Sequence, residues 1–444
     1  MTTQVIGEPQ QQLGLSPLQR KVLVFGSGSP FLDGYVIVMI GLALLQIVPS
    51  WNLSDSETGM LAAGTLVGIL IGGPAGGYIT DRIGRRFMYI FDVSAIIVLS
   101  AAQFFVQDIT QLVILRVLIG MVIGADYPIA STLITEFSTP KSRGWMVGAL
   151  NGIWYVGGVA AALVGYALYL WSGEGWRWML ASPALIALIL LIGRLGTPES
   201  PLWLASRGRR DEAIAVLRRA FPNHNIDSQI SELGETKPRD SKMRAVFANP
   251  VYLKRLLYCG GFYALMTVPV FAIATFGPQI YDLLGLGDRW IIPYVLSNVF
   301  FGVGVFVAVL LVDRWGRRPL NIWSFIGMTI GMAILGLFSS VSPVVVFVGF
   351  IVFCLAQGGP SALAWLAPNE LFPTEVRASA TGLATAMSRI GAAVGTYLVP
   401  VMLTNMGVSN TMLVMAAVCL AGVLLCVALA EETKGKSLRE ASAA

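Results

Sequence analysis

The sequence predicts an all-α membrane protein with twelve transmembrane helices arranged as two six-helix bundles. Three observations lead to this prediction: a strongly apolar composition, twelve apolar stretches, and a short polar sequence that occurs in each half of the chain. The 444 residues are 55% hydrophobic and 12% charged, with a mean hydropathy of +0.72. A soluble domain carries about 25% charged residues, so a chain with a water-exposed exterior is excluded.

The apolar stretches have the length that crosses roughly 30 Å of hydrocarbon as a helix. We expect spans at 22–48, 58–80, 88–106, 110–136, 145–171, 177–196, 256–284, 290–312, 320–340, 343–366, 379–402 and 411–430. The first stretch follows a polar arm and lacks a small-residue cleavage site, which predicts a retained helix rather than a signal peptide. Cys259, Cys354, Cys419 and Cys426 lie inside spans without metal-ligand spacing, so we expect packed thiols and no metal site.

The distribution of basic residues predicts the orientation in the membrane. Of the 30 Lys and Arg residues, 26 lie on the side of the amino terminus, twelve of them in the stretch from Arg194 to Arg255. The opposite side holds only Arg177 and Arg289. The positive-inside rule then places both chain ends in the cytoplasm of a bacterial-type inner (plasma) membrane. The net charge of +5 reflects this topology, and no binding to nucleic acid is expected.

A long polar stretch divides the chain into two halves. We expect a cytoplasmic arm at 1–21, a first six-helix bundle at 22–196, a cytoplasmic linker at 197–255, a second bundle at 256–430 and a cytoplasmic tail at 431–444. Within the linker, apolar residues spaced among charges predict a short surface helix at 207–220.

A shared polar sequence follows the second predicted helix of each half. The first copy is Gly77-Tyr-Ile-Thr-Asp81-Arg82-Ile-Gly84-Arg85-Arg86, and the second is Asp313-Arg314-Trp-Gly316-Arg317-Arg318. Such an internal repeat indicates two related bundles. A tight turn between helices needs the backbone freedom of glycine, and arginines there can interact with helix carboxyl ends and acids.

These clusters are expected mainly to stabilise the loops, and also to act as a latch between the halves in one conformation. The predicted latch residues are Gly77, Asp81, Arg82, Gly84, Arg85, Arg86, Glu136, Arg143, Glu199, Asp313, Arg314, Arg317, Arg318, Glu370 and Arg377.

Several motifs resemble those of the major facilitator superfamily. The loop sequence at 77–86 resembles its signature in full, whereas the second copy has Val309 in place of the first glycine. Residues 116–128 resemble its fourth-helix motif. Three further sequences resemble the sugar-porter branch and related metabolite transporters: Pro198–Leu204, Asn369–Arg377 and Glu432–Gly435.

The resemblance covers about residues 30–436 and implies the major facilitator fold. It also implies a transporter in the lipid bilayer whose partners are a small-molecule substrate and protons. We expect a monomer without cofactors. An enzyme is not expected, because the sequence shows no arrangement of nucleophile, base and oxyanion donors.

Four charges stand out inside predicted spans, because a charge near the centre of the bilayer costs several kcal/mol unless it is paired or hydrated. Asp33, Asp126 and Arg116 are the predicted proton-coupling residues, since desolvation and nearby cations tune the protonation of a carboxylate. The only histidine, His224, falls in the linker and cannot serve as a relay. The alternative is a purely structural salt bridge between Asp33 and Arg116.

Two transporter branches differ from this chain at the first helix. Proton-coupled sugar porters resemble it around Gly34-Tyr35 but place their coupling aspartate next, where this chain has Val36; Asp33 lies about one turn earlier. Proton-coupled phosphate transporters carry acids at both places and have a sequence like Gly124–Pro128. A phosphate:proton symporter therefore stays an alternative.

Arg389 is the fourth intramembrane charge and the predicted substrate-binding cation. A guanidinium can bind a carboxylate or phosphate through two hydrogen bonds, and organic-anion carriers of the superfamily have a resembling arginine in helix eleven. The alternative is a structural pair with Asp33 or Asp126. Other predicted substrate-binding residues are Tyr127, Asn151, Trp154, Tyr155, Tyr263, Gln279, Asn298, Gln357 and Trp365.

The leading hypothesis is a proton-coupled symporter of a small polar metabolite, an organic anion. A sugar:proton symporter is the second hypothesis. A membrane sensor that no longer transports is a third, from a different class; it would need a signalling segment, which we do not expect at either end.

Overall fold

The computed structural model describes residues 15–137, 140–222, 243–286, 290–338, 341–373, 376–436 and 438–442. The side chains of the predicted site residues Tyr127, Asn151 and Arg143, and all of His224, lie outside the described residues. Eleven helical segments in the described part are long and apolar enough to cross a membrane.

The membrane-spanning helices follow one another with short connections, except for the long linker between the sixth and the seventh. In chain order they are α1 (Pro17–Trp51), α2 (Asp55–Ile83), α3 (Arg85–Gln103), α4 (Ile109–Glu136), α5 (Pro140–Trp171), α6 (Gly175–Arg194), α7 (Pro250–Tyr281), α8 (Ile291–Trp315), α9 (Arg317–Phe338), α10 (Pro343–Leu371) and the segment Arg377–Leu429. That last segment has 53 residues and turns at Gly407, where φ is 77°. It therefore holds two spans, α11 and α12, and the predicted all-helical fold with twelve spans is confirmed.

The described residues just before α1 and after α12 lie on the same side of the molecule as the linker. Linker helices form at Pro201–Ser206, Arg210–Ala220 and Met243–Ala248, and Arg210–Ala220 matches the predicted surface helix. The hydroxyl of Ser16, which precedes α1, donates to the carbonyl of Ala220 at 2.8 Å. We call this the linker side and the opposite face the far side.

Two arginines that the sequence analysis counted with the linker belong to the bundles. Arg194 ends α6 and Arg255 lies in α7, and both are buried. Each has an acidic partner inside its bundle, and the partner of Arg255 is Glu431 at 2.9 Å. The helix α7 starts at Pro250, earlier than predicted, because Asn249 caps it by accepting the amide N–H of Val251.

The loop that follows α2 turns at a glycine that no other residue can replace without strain. Gly84 has φ 115°, and a Cβ atom there would lie 2.6 Å from Oε2 of Glu199. The carboxylate of Glu199 accepts the backbone N–H of Arg85 at 2.9 Å and of Arg86 at 3.1 Å. The glycine thus admits an acid that caps the start of α3, where the helix dipole favours negative charge.

The second bundle repeats this device at the loop that follows α8. Gly316 has φ 94°, and a Cβ atom there would lie 2.6 Å from Oε2 of Glu432. Glu432 accepts the backbone N–H of Arg317 at 3.0 Å and of Arg318 at 3.1 Å. Burial opposes ionisation of Glu432, but these and neighbouring backbone donors together lower its pKa.

Each device also holds a partly buried ion pair to the end of a neighbouring helix. Arg85 pairs with Glu136 at the end of α4, and Arg317 pairs with Glu370 at 2.6 Å, near the end of α10. Glu136 also accepts a hydrogen bond from Ser200 at 2.5 Å. Thr433 donates to Glu370 in the same way.

The remaining predicted latch residues lie on the linker side. Asp81, Arg82, Arg86, Asp313, Arg314 and Arg318 are exposed, Gly77 and Arg377 are half-buried, and Arg377 donates to the carbonyl of Phe372 at 3.0 Å. In the described part of the chain, the ion pairs of these clusters stay within one bundle or its flanking segment. A latch between the halves remains a prediction.

We predict that Gly84→Ala lowers thermal stability, whereas Gly77→Ala does not. Alanine at position 84 is strained by about 1–3 kcal/mol at this φ and displaces Glu199. Gly77 is helical, and a Cβ atom there meets nothing within 4 Å. Unfolding midpoints of the two purified variants in detergent provide the measurement. Equal midpoints would contradict the role of the turn.

Candidate site between the bundles

The two bundles contact each other at the centre and on the far side. In the described part, three hydrogen bonds join them: Ser56 with Tyr397 at 2.8 Å, Tyr155 with Gln357 at 3.4 Å, and Tyr294 with the carbonyl of Val38 at 3.4 Å. On the far side, α1 approaches α7 so closely that a Cβ atom at Gly41 would lie 1.9 Å from the carbonyl oxygen of Thr275. The predicted site therefore lies where the bundles meet.

Asp33 is fully buried in α1, with 0% exposure, and it contacts α5. The indole N–H of Trp154 donates to Oδ2 of Asp33 at 2.6 Å. A Cβ atom at Gly34 would lie 2.0 Å from the carbonyl oxygen of Trp154. The glycine after Asp33 therefore allows the close approach of α1 and α5 that forms this hydrogen bond.

An aromatic contact continues from Trp154 into the second bundle. The ring of Trp154 lies edge-on to Phe271 of α7, with centroids 6.0 Å apart. The guanidinium of Arg389 in α11 lies 5.8 Å from the centroid of Phe271, and Arg389 is 5% exposed. Two buried side chains of opposite charge, Asp33 and Arg389, thus lie at the two ends of one aromatic pair across the interface.

Tyr155 forms a second contact at the same level. Its ring stacks on Phe301 of α8 at 5.6 Å, and its hydroxyl donates to Oε1 of Gln357 in α10. That oxygen also accepts from Ser361 at 2.5 Å, and the Gln357 amide donates to the carbonyl of Phe301 at 3.2 Å. Gln357 is therefore held rigidly, as a positioned polar group must be.

Asn298 of α8 presents a polar atom toward the first bundle. Its amide donates to the carbonyl of Tyr294 at 3.0 Å, while its buried Oδ1 accepts no hydrogen bond from the residues that the structure describes. This oxygen lies beside Gly158 of α5, where a Cβ atom would be 2.6 Å away. A buried acceptor without a donor costs free energy, so this oxygen is available to a ligand hydroxyl or amide.

The other predicted site residues are spread along the interface helices. Tyr263 is buried in α7. Gln279 lies near the far-side end of α7, and Trp365 lies toward the linker side of α10; both are half-buried.

Arg116 is buried in α4 and lies against α1. Its guanidinium reaches the carbonyl of Val36 at 3.4 Å, rather than the carboxylate of Asp33. The arginine therefore faces the position that holds an aspartate in the resembling sugar porters. Asp33 does not replace that aspartate as its partner in this conformation.

Asp126 pairs inside the first bundle with a residue that the sequence analysis did not single out. Oδ2 of Asp126 lies 3.2 Å from Nη2 of Arg194, which is fully buried. A second acid, Asp92 of α3, is also fully buried beside them. Asp92 could have been found, because it interrupts an apolar stretch that was itself predicted as a span, whereas Arg194 lies at the end of such a stretch.

The chain is similar over nearly its whole length to transport proteins. Residues 21–444 match the family described as Sugar (and other) transporter. The chain is 44% identical over 432 residues to the putative metabolite transport protein YaaU of Escherichia coli, covering 97% of this chain and 96% of that protein. It is 29% identical over 433 residues to the arabinose-proton symporter of Bacillus subtilis, covering 92% and 91%.

Solved structures of the xylose transporter XylE from E. coli share the fold. The inward open conformation has a TM-score of 0.82 at 21% identity and covers 95% of this chain and 99% of that chain.

We predict that Trp154→Phe is costlier in the wild-type chain than in an Asp33→Asn background. Phenylalanine keeps the ring but removes the N–H, and a hydrogen bond to a charged group contributes about 1.5–3 kcal/mol against about 1 kcal/mol for a neutral one. Unfolding midpoints of the four proteins in detergent form the cycle. Trp323→Phe on the exposed face of α9 is the control. Equal costs in both backgrounds would refute the bond to a charged Asp33.

Proposed function

Because the chain belongs to the sugar (and other) transporter family of the major facilitator superfamily, and so is a multi-pass membrane transporter and not an enzyme, we propose that it is a proton-coupled symporter. The proposed substrate is a small polar metabolite that carries a carboxylate. The observation that carries this proposal is the placement of buried Asp33 and Arg389 on either side of the Trp154–Phe271 contact.

Asp33 is the proposed coupling residue. Burial of a carboxyl group favours its protonated form, whereas hydrogen bonds donated to it favour the ionised form. Trp154 supplies such a donor across the α1–α5 contact. A movement of α5 relative to α1 would alter that hydrogen bond and so the proton occupancy of Asp33. Arg116 of α4 contacts α1 at Val36, about one turn after Asp33. It is a cation that Asp33 can face in another conformation.

Arg389 is the proposed anion-binding residue. Its position at the interface of the bundles and its 5% exposure place a cation where a substrate is expected. A carboxylate can accept two parallel hydrogen bonds from a guanidinium. The buried Oδ1 of Asn298 and the positioned Gln357 can add contacts to hydroxyl groups of the same substrate.

We further propose that the linker side faces the cytoplasm. The support is that 24 of the 30 Lys and Arg residues lie in segments assigned to that side when Arg194 and Arg255 are counted with the bundles, as the positive-inside rule expects of a cytoplasmic side. The bundles are joined at the centre and on the far side in this conformation, so alternation would separate them there.

A neutral sugar is the second candidate substrate. Aromatic and amide groups at the interface, such as Tyr155, Asn298 and Gln357, suit a polyol as well as an acid. Some relatives are sugar transporters by name, including the arabinose-proton symporter of B. subtilis. Phosphate is less favoured, because Asp126, on which that alternative relied, pairs with Arg194 inside the first bundle. Uptake into proteoliposomes from a panel of carboxylates, sugars and phosphate, with and without a pH gradient, tests the function.

We predict that Asp33→Asn abolishes accumulation driven by a pH gradient but retains exchange of substrate across the membrane. An amide cannot carry a proton through the cycle, while the binding site and the conformational change remain. Asp282→Asn is the matched control, since Asp282 is exposed at the far-side end of α7. Concentrative uptake at the wild-type level in Asp33→Asn would remove Asp33 from the coupling role.

We predict that Arg389→Lys weakens binding of a carboxylate substrate by roughly tenfold and that Arg389→Ala abolishes it. Lysine keeps the charge but loses the planar pair of donors, and about 1.4 kcal/mol corresponds to a factor of ten. Calorimetry with matched acid and sugar pairs measures this, with Arg219→Ala on the exposed linker helix as control. Equal sugar binding by wild type and Arg389→Ala, without binding of acids, would instead identify a sugar porter.

A further inference from the structure

A buried group of three charged side chains lies in the first bundle, apart from the interface. Asp92 of α3 and Arg194 of α6 are 0% exposed, and Asp126 of α4 is 4% exposed. The three helices pack together, so these side chains meet between them. We call the two acids, Asp92 and Asp126, the acidic pair.

The terminal nitrogens of Arg194 donate hydrogen bonds to Asp126 and to uncharged groups. Its two terminal nitrogens lie 3.4 and 3.2 Å from the two oxygens of Asp126. One also donates to the carbonyl of Tyr89 at 2.8 Å, and the other to the hydroxyl of Ser29 at 2.6 Å. The guanidinium stacks on the ring of Tyr89 at 3.9 Å.

Asp92 has no such donor. Neither of its carboxyl oxygens accepts a hydrogen bond in the described part of the chain. The charged groups that face it are the carboxylate of Asp126 and the guanidinium of Arg194, and Tyr89 is the neighbouring phenol. A fully ionised Asp92 would therefore be buried without a donor and next to a like charge.

The balance of charge among these three side chains favours one bound proton. Two acids and one arginine carry a net charge of −1 when all are ionised, and a buried uncompensated charge costs several kcal/mol. One proton on the acidic pair removes that charge. It also supplies the missing donor, because a protonated carboxyl of Asp92 can donate to Asp126.

The surroundings provide space for proton exchange. A cavity of about 10 Å³, roughly the space for one water molecule, lies beside the pair. It is lined by Ser29, Leu32, Ile96, Ile123 and Asp126. Ser29 precedes Asp33 by four residues on α1, which is about one helical turn. Asp92 is the eighth residue of α3, about 11 Å from its linker-side start.

We propose that Asp92 and Asp126 share one exchangeable proton beside Arg194. They would form a second proton-binding site, on the linker side of Asp33. This site is a property of the first bundle alone. It does not depend on the proposed transport activity or on the identity of the substrate.

The test is infrared spectroscopy of the purified full chain, in the carbonyl-stretch region of protonated carboxylic acids. All variants carry Asp33→Asn, so that Asp33 contributes no signal. We expect the parent to show a protonated-acid band that disappears as pH rises. We expect Asp92→Asn to lose it, because the remaining acid is then matched by Arg194.

Asp126→Asn distinguishes a shared proton from a fixed one. In that variant Asp92 becomes the single acid beside Arg194, so it should ionise and the band should again be lost. The exposed-residue variant Asp282→Asn should keep the parent spectrum. Three results would overturn the proposal: no difference between the parent and Asp92→Asn, a band that survives in Asp126→Asn, or a band that does not respond to pH. A failure of proton-driven transport in the wild-type chain would leave the spectral result unchanged, so the two proposals can fail separately.

Discussion

Buried charge governs the layout of this protein. Every ionised side chain at the depth of the lipid must meet an opposite charge, a dense set of donors or a proton. Arg194 meets Asp126 inside the first bundle, and Arg255 meets Glu431 at the base of the second. Asp33 and Arg389 lie on opposite sides of a contact between the bundles. The ion pairs inside a bundle hold its helices together, and we propose that the two charges at the interface interact with protons and substrate.

On the linker side, the two related bundles contain the same arrangement of a glycine, an acid and an arginine. A glycine at positive φ, an acid that caps the following helix, and an arginine paired with a third helix occur after α2 and again after α8. The acid comes from a distant part of the chain in both cases: Glu199 after α6 and Glu432 after α12. This closes the six helices of each bundle at one end. The polar sequences that resemble the sugar-porter branch are therefore parts of one structural device, in which each acid needs its glycine.

The sequence was sufficient to predict the spans because each is an apolar run of membrane length, although α1, α5 and α7 start five or six residues before their predicted positions. The contacts between the bundles were harder to predict from the sequence, because the contact of Trp154 with Phe271 depends on helix packing that no local pattern encodes. The partner of Asp126 was missed for a related reason. A single arginine at the end of an apolar stretch, such as Arg194, resembles a loop residue in sequence, and only the packing of α6 against α3 and α4 reveals it as buried.

The contact between the bundles is soft compared with the contacts inside them. In the described part of the chain no ion pair crosses it, and two of its three hydrogen bonds are 3.4 Å long; the rest is ring against ring and backbone against backbone. Each bundle, by contrast, is closed by ion pairs at its linker end. The described contacts that the proposed alternation must break are therefore mostly close approaches of rings and backbone, which depend on the fit of one bundle against the other.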